Sequence, residues 1–364
     1  MLPTLGDAVG LAYLCGPMST LKDIRKFTRE ELVDELGALG EPKFRATQVY
    51  DWLWQKSAHN FEQMTNLSKG LREKLQSTYT ILPVTENIVQ KSKDGTVKLG
   101  MRLSDNRLIE GVMIPDKDVR STACVSSQVG CSLACSFCAT GFLKRERNLE
   151  AGEIYDQVVL LNKHALEHSG NPLTNIVYMG MGEPLLNYSN VLRSIRLITS
   201  PEGLNMGQWR ITVSTSGVTK GIMRLADEGL KINLALSLHA PTDEKRNKIM
   251  DINASNPLQD VIAAMNYFYQ KTGNKVTFEY ILFDKFNDSL EDAEHLIALY
   301  HQVPAFINLI EYNNVEGVEY KRAKAEQRDI FVNYLRSRNV NVKVRRSRGK
   351  DIDAACGQLA NKNK

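Results

Sequence analysis

From Ser121 onward the chain alternates short apolar runs with longer amphipathic segments. Strands are predicted near 121–126, 174–179, 209–215, 231–238, 275–282 and 305–311. Each is followed by apolar residues at helical spacing, over 150–168, 187–199, 218–228, 257–271, 289–301 and 325–338. A last strand is expected near 340–346. Consecutive β–α units imply a parallel sheet with covering helices. Six units are too few for a closed eightfold barrel. The pattern therefore predicts an α/β fold with an open, partial (β/α)6 TIM-like barrel; a doubly wound sheet is the alternative.

The rhythm upstream differs. Residues 19–83 read as a small helical domain: Thr28, with Glu31 three residues later, has the pattern of a capping box, and Phe44–Trp54 and Leu67–Leu75 keep helical spacing. Residues 84–120 shorten to a strand period and read as a β linker. Its strands are Thr96–Leu103 and Arg107–Ile114, its turns fall at Asp94-Gly95 and Ser104-Asp105-Asn106, and Pro115 closes it. Residues 1–18 lack a basic start before their apolar stretch and read as a disordered extension rather than a secretory signal. The expected organisation is thus extension 1–18, helical domain 19–83, β linker 84–120, barrel core 121–346 and tail 347–364.

Composition narrows the class. With 364 residues, 43% hydrophobic and 24% charged, the chain can bury a sizeable core without staples. No apolar run reaches the length of a membrane span. A secreted, collagen-like or disordered protein is excluded on these grounds, and a cytoplasmic location is expected. The net charge of +4 says little, but its placement says more. Arg336–Lys350 holds seven basic residues and no acid, and without it the chain is slightly acidic. A local basic patch suits phosphate contact, with Arg345, Arg346 and Arg348 as candidates; a solvated strand face is the plain alternative.

The cysteines are Cys15, Cys124, Cys131, Cys135, Cys138 and Cys356. Three lie within GCSLACSFCATG as Cys131-x-x-x-Cys135-x-x-Cys138. Buried cysteines on one helical face would share this spacing, but the flanking Gly130 and Gly141 suggest a loop. A structural zinc site normally takes four ligands from separated knuckles. Three thiolates in one loop instead suit an iron–sulfur cluster with one iron left open. His164-Ala-Leu-Glu167-His168 matches an inverted zinc-protease pattern. It falls in the last turn of a predicted helix, where imidazoles complement the helix dipole, and no third ligand is evident. Tyr178-Met-Gly-Met-Gly-Glu-Pro184 carries a lone GxG without the third glycine of a dinucleotide site. Ser214, Ser216, Ser237, His239 and Asn313 fall where predicted strands end, the rim on which ligands collect in parallel β/α folds.

CxxxCxxC after the first strand of a partial barrel resembles the radical S-adenosylmethionine (SAM) superfamily, and MGMGEP resembles its GGEP-like stretch. The words ACVSSQVGCSLACSFCATG, MGMGEPLLN, STSGV, SLHAP and DIDAACGQL together resemble the RlmN family of RNA adenine methyltransferases, from about residue 20 to the tail. The resemblance implies a [4Fe–4S] cluster on Cys131, Cys135 and Cys138, and SAM contacts from Gly182, Glu183, Ser214, Ser237, Leu238, His239 and Asn313. It implies two SAM molecules per turnover. One methylates Cys356, and the other yields the radical that activates the S-methyl group for addition to adenine C2. Cys124 then resolves the protein–RNA adduct through a transient disulfide with Cys356, and Glu110 aligns with the family's proton acceptor. Implied partners are 23S rRNA (the peptidyl transferase centre), tRNA (the adenine 3′ of the anticodon) and a flavodoxin-like electron donor, with a monomeric enzyme expected. The helical domain and the basic 336–350 segment are the expected RNA contacts. A related C8-methylating resistance enzyme shares both working cysteines; a non-catalytic iron–sulfur RNA-binding protein is the rival from another class.

Overall fold

A computed structural model describes residues 21–116 and 120–361. The expected extension 1–18 and Cys15 lie outside the described residues. The N-terminal unit is fastened at both ends by the parallel pairing of β1 (Lys22–Asp23) with β2 (Tyr79–Thr80). Between them run α1 (Arg29–Ala38), α2 (Phe44–Trp54) and α3 (Lys69–Thr78). The capping box is present: Glu31 N–H donates to Thr28 Oγ1 at 3.2 Å, and Thr28 N–H donates to the Glu31 carboxylate at 2.7 Å. Two contacts seat this unit on the barrel. Buried Arg25 pairs with Asp156 at 2.8 Å, and the Trp54 and Tyr155 rings meet edge to face at 5.1 Å.

Ten of the remaining strands form one sheet. β3 (Thr85–Lys91), β4 (Val97–Arg102), β5 (Leu108–Pro115) and β6 (Ser121–Cys124) make an antiparallel meander. Pro115 does not end the sheet: it pairs with Ser121, so the segment read as a linker is continuous with the barrel strands. β3 was not separately expected. Its sequence, TENIVQK, is mostly polar because it is an exposed edge strand.

After β6 come β7 (Gln128–Val129) and β8 (Arg147–Asn148), a two-stranded clasp around the cysteine loop. Helix α4 (Ala151–Ser169) then leads to β9 (Asn175–Tyr178), which pairs in parallel with β6. The alternation continues through α5 (Tyr188–Thr199), β10 (Ile211–Thr215), α6 (Thr219–Asp227) and β11 (Asn233–Ser237). A short α7 (Asp243–Asn247) precedes α8 (Leu258–Thr272), β12 (Val276–Leu282), α9 (Leu290–Tyr300), β13 (Ala305–Glu311), α10 (Ala325–Ser337) and β14 (Val342–Arg345). Strand order is β14-β13-β12-β11-β10-β9-β6-β5-β4-β3, parallel from β6 to β14. This is the open partial barrel. Its central strands are largely buried on both faces, with polar residues such as Ser214 and Glu279 where the cleft opens. Among the described residues no helix is long and apolar enough to cross a membrane.

Candidate active site

The cysteine loop leaves β7 and is not helical. Ala134 has φ 47°, which breaks any helix between Cys131 and Cys135. A turn follows, with Cys138 N–H donating to the Cys135 carbonyl at 3.1 Å. The three thiols line a cleft at the C-terminal ends of the parallel strands. Burial pushes Cys131 up to about 11 and raises Cys135 and Cys138 as well, with Cys138 adding to both neighbours. The thiols are thus protonated unless positive charge is brought to them. No three His, Cys, Asp or Glu side chains among the described residues converge on a point fit for a single ion.

Opposite the loop, MGMGEP is locked onto the segment that leads into the loop. Gln128 N–H donates to the Met181 carbonyl at 3.2 Å, and Glu183 N–H donates to Gln128 Oε1 at 2.9 Å. Gly182 has φ +95°, and a Cβ there would sit 2.5 Å from Gln128 Cβ, so only glycine fits. Burial raises Glu183 despite the N–H groups of Ser216 (2.8 Å) and Leu185 (3.1 Å) donating to its carboxylate. Ser214 and Ser237, at the ends of β10 and β11, have hydroxyl oxygens 3.4 Å apart. Buried His239 (φ 53°) accepts the Ile281 N–H on Nδ1 at 3.1 Å, and its ring meets Phe137 of the cysteine loop edge to face at 5.0 Å. Gly182, Glu183, Ser214, Ser237 and His239 therefore share one cleft with the three cysteines.

Cys356 also lines that cleft, and it lines a second one of about 790 Å³ that contains Cys124. It rides on a β-turn: Gln358 N–H donates to the Ala355 carbonyl at 3.1 Å, with Gly357 at φ +82° in the position that needs it. Ala139 N–H, just after the cluster loop, donates to the Gly357 carbonyl at 2.7 Å. Cys124 is buried at the end of β6; burial pushes its thiol up to about 12, and Cys356 adds to the shift. Both thiols are free.

Three predicted residues lie off the cleft wall. Leu238 is fully buried, with its N–H donating to the Glu279 carbonyl at 3.0 Å. Asn313 faces the tail, its Nδ2 donating to the Cys356 carbonyl at 3.4 Å. Glu110 lines neither cleft that holds Cys356; its carboxylate meets the tail at Ala360 and Asn361. The H-x-x-E-H segment is not a metal site: buried His164 turns its Nε2 to Glu86 of β3 at 3.0 Å, a partner invisible without that strand.

Sequence reasoning placed Arg345 with the surface arginines, and the structure corrects this. Arg345 is half-buried and lines both clefts; Cys356 raises its pKa against burial, with Glu279 and Cys124 adding. Two further residues went unread. Glu279 lines the first cleft, with Oε2 lacking a hydrogen-bond partner among the described residues, a ready acceptor for a ligand donor. Arg246, on α7 and fully buried, braces the ends of β10 and β11 from behind. Neither had a motif to announce it.

A partial β/α barrel carrying three cysteines in a loop at its strand ends defines a protein of the radical SAM class. The Radical SAM superfamily model matches residues 125–297, and the model described as "Ribosomal RNA large subunit methyltransferase N-terminal domain" matches residues 22–81. A Cytophaga hutchinsonii protein named "Probable dual-specificity RNA methyltransferase RlmN" is 52% identical over 355 residues, covering 96% of this chain and 97% of that protein. A Salinibacter ruber protein of the same name is 43% identical, covering 98% of each. The crystal structure of a radical SAM methyltransferase from Sphaerobacter thermophilus aligns with a TM-score of 0.87 at 42% identity, covering 93% of this chain and 99% of that one. The chain belongs to the RlmN family.

Proposed function

We propose that the chain methylates C2 of adenine in 23S rRNA and tRNA, with Cys356 as methyl carrier and Cys124 as resolving thiol. The observation that supports this most is that Cys356 lines both clefts, one with the cysteine loop and strand ends, the other with Cys124. Adenine C2 lies between two ring nitrogens and is too electron-poor to attack a sulfonium, so a carrier and radical chemistry are needed. Cys131, Cys135 and Cys138 would hold a [4Fe–4S] cluster which, when bound, supplies the electron that cleaves SAM to a 5′-deoxyadenosyl radical.

The chain's own residues do the rest. Gly182 and Glu183 offer close backbone approach and a carboxylate for the methionine ammonium. Ser214, Ser237 and His239 line the adjoining wall, and Asn313 acts from outside it, through its hydrogen bond to the Cys356 carbonyl. Leu238, whose N–H is spent on the Glu279 carbonyl, holds Ser237 and His239 in place. The Cys356 thiolate displaces S-adenosylhomocysteine from one SAM and takes its methyl group. Loss of a hydrogen atom to the radical from a second SAM leaves a methylene radical on Cys356, which adds to C2. The adduct loses one electron, which a bound cluster would take up, and the C2 proton. Cys124 sulfur then attacks Cys356 sulfur, breaking the sulfur–carbon bond; the freed carbon takes a proton to become the methyl group, and a transient disulfide remains. The N-terminal helices and Arg346 and Arg348 contact RNA phosphates. A flavodoxin-like donor, a monomeric state and a cytoplasmic location complete this reading.

The test separates the cysteines. Cys124→Ala, reconstituted and reduced with RNA and SAM, should accumulate a protein–RNA crosslink through Cys356 on denaturing gels, and Cys356→Ala should form neither S-methylcysteine nor methylated RNA. Normal RNA methylation without Cys124, or a crosslink in the Cys356 variant, would overturn the assignment.

A further inference from the structure

The tail that carries Cys356 is held by the antiparallel meander, and one buried ion pair holds it on both sides of the cysteine. Glu110 on β5 and Lys98 on β4 face each other, Nζ to Oε1 at 3.4 Å, both buried. Lys98 Nζ also donates to the Asp353 carbonyl at 3.3 Å, three residues before Cys356. Glu110 Oε2 accepts the backbone N–H of Ala360 at 2.8 Å and of Asn361 at 3.2 Å, beyond Cys356. Asn361 Nδ2 adds a bond to the Leu108 carbonyl at 2.8 Å. Further out, Asp94 accepts Gly349 N–H at 3.0 Å, and Asp351 accepts Ser92 Oγ–H at 2.6 Å and Lys93 N–H at 3.2 Å. The Ala355–Gln358 turn is thus presented between two fixed ends.

A buried ion pair is costly to desolvate and is sustained where its remaining donors and acceptors are satisfied. Here that remaining capacity goes to tail backbone. Removing the carboxylate strands two tail N–H groups and leaves Lys98 as a buried charge without its partner. From this geometry we infer that Glu110 and Lys98 are positioning residues that clasp the tail and set the place of Cys356. The inference rests on Cys356 being the methyl carrier, and gives Glu110 a role other than proton transfer from the base. Ordering the tail in advance removes the loop-closure cost that Cys356 would otherwise meet at each encounter with cofactor or base.

The test uses Glu110→Gln, Lys98→Met and, at half-buried Asn361, Asn361→Ala. In the full-length reduced apo-protein, amide hydrogen exchange of the 351–361 peptide and the iodoacetamide alkylation rate of Cys356 are read by mass spectrometry. Glu110→Gln and Lys98→Met should each raise both by roughly tenfold, with Cys124 alkylation unchanged; Asn361→Ala should raise them by about threefold, since it loses one neutral hydrogen bond. In the reconstituted holoenzyme, Glu110→Gln should slow S-methylation of Cys356 itself, a step that involves no RNA. Wild-type tail exchange and alkylation in Glu110→Gln, with normal Cys356 methylation and a stalled RNA adduct, would make Glu110 a proton-transfer group and overturn the inference. If Glu110→Gln does not fold, unchanged exchange and alkylation in Lys98→Met overturn it. The apo readouts do not depend on RNA methylation, so failure of the proposed function is registered separately.

Discussion

Replacing Arg246 with Met perturbs the site without substituting any predicted ligand. Its guanidinium donates from Nε to the Leu238 carbonyl (3.2 Å), from Nη2 to the Ser216 (2.6 Å) and Ser237 (3.2 Å) carbonyls, and from Nη1 to Asn253 Oδ1 (2.6 Å). Burial lowers its pKa to about 10 from 12.5. A shift of that size sets about 3 kcal/mol against the charged form. Four hydrogen bonds to a charged donor, at about 1.5 kcal/mol each, contribute about 6 kcal/mol. The difference leaves Arg246 stabilising the fold by about 3 kcal/mol, with the ends of β10 and β11 bearing the loss. Arg246→Met should therefore lower the unfolding free energy of the apo-protein by about 3 kcal/mol in urea titrations followed by circular dichroism. Arg246→Lys, which keeps the charge but not the fork of donors, should fall between the two. The SAM affinity of the reconstituted Met variant should also fall, because Ser216 and Ser237 lose their brace. A Met variant within about 0.5 kcal/mol of the parent, the ordinary scatter of surface changes, would refute the reasoning.

Replacing Cys131, Cys135 or Cys138 singly by Ala should abolish both bound iron and reductive SAM cleavage; full iron content in any of the three would exclude that residue as a ligand. Neutralising Arg346 and Arg348 should weaken RNA binding and flatten its log–log salt dependence by about 2, one released counterion each, whereas an unchanged slope would leave the segment a solvated surface. Burial, with Arg246 adding, lowers His239 to about 3 from 6.5. Between those values the unfolded chain binds a proton that the folded chain does not, so stability falls as pH drops below about 6.5, by about 1.4 kcal/mol per pH unit. His239→Gln should remove that slope from urea titrations between about pH 6.5 and 5.5; equal slopes would contradict it.

What the sequence displayed depended on how each feature is built. The parallel strands and their helices were legible because short, mainly apolar strands such as Ala305–Glu311 alternate with amphipathic helices such as Tyr188–Thr199. Thr28 and Glu31 were legible because a capping box is local. The cysteine loop and MGMGEP were legible as words, and they share a cleft because β6 and β9 are adjacent in the sheet. Polar β3 was not legible: an edge strand lacks the apolar alternation, and the Glu86 partner of His164 was hidden with it. Arg345 and Arg346 are neighbours in one basic word and both line the second cleft, but only Arg345, half-buried, also lines the first, while Arg346 is exposed. The contacts of Glu110 with the tail span 250 residues of sequence and leave no local trace.

The most direct test is to incubate the reduced, cluster-reconstituted protein with 23S rRNA and tRNA transcripts and SAM, digest the RNA, and identify its methylated nucleosides by mass spectrometry. The account predicts 2-methyladenosine, dependent on both Cys356 and Cys124. 8-Methyladenosine in its place, or cofactor cleavage with no methyladenosine in either RNA, would contradict it.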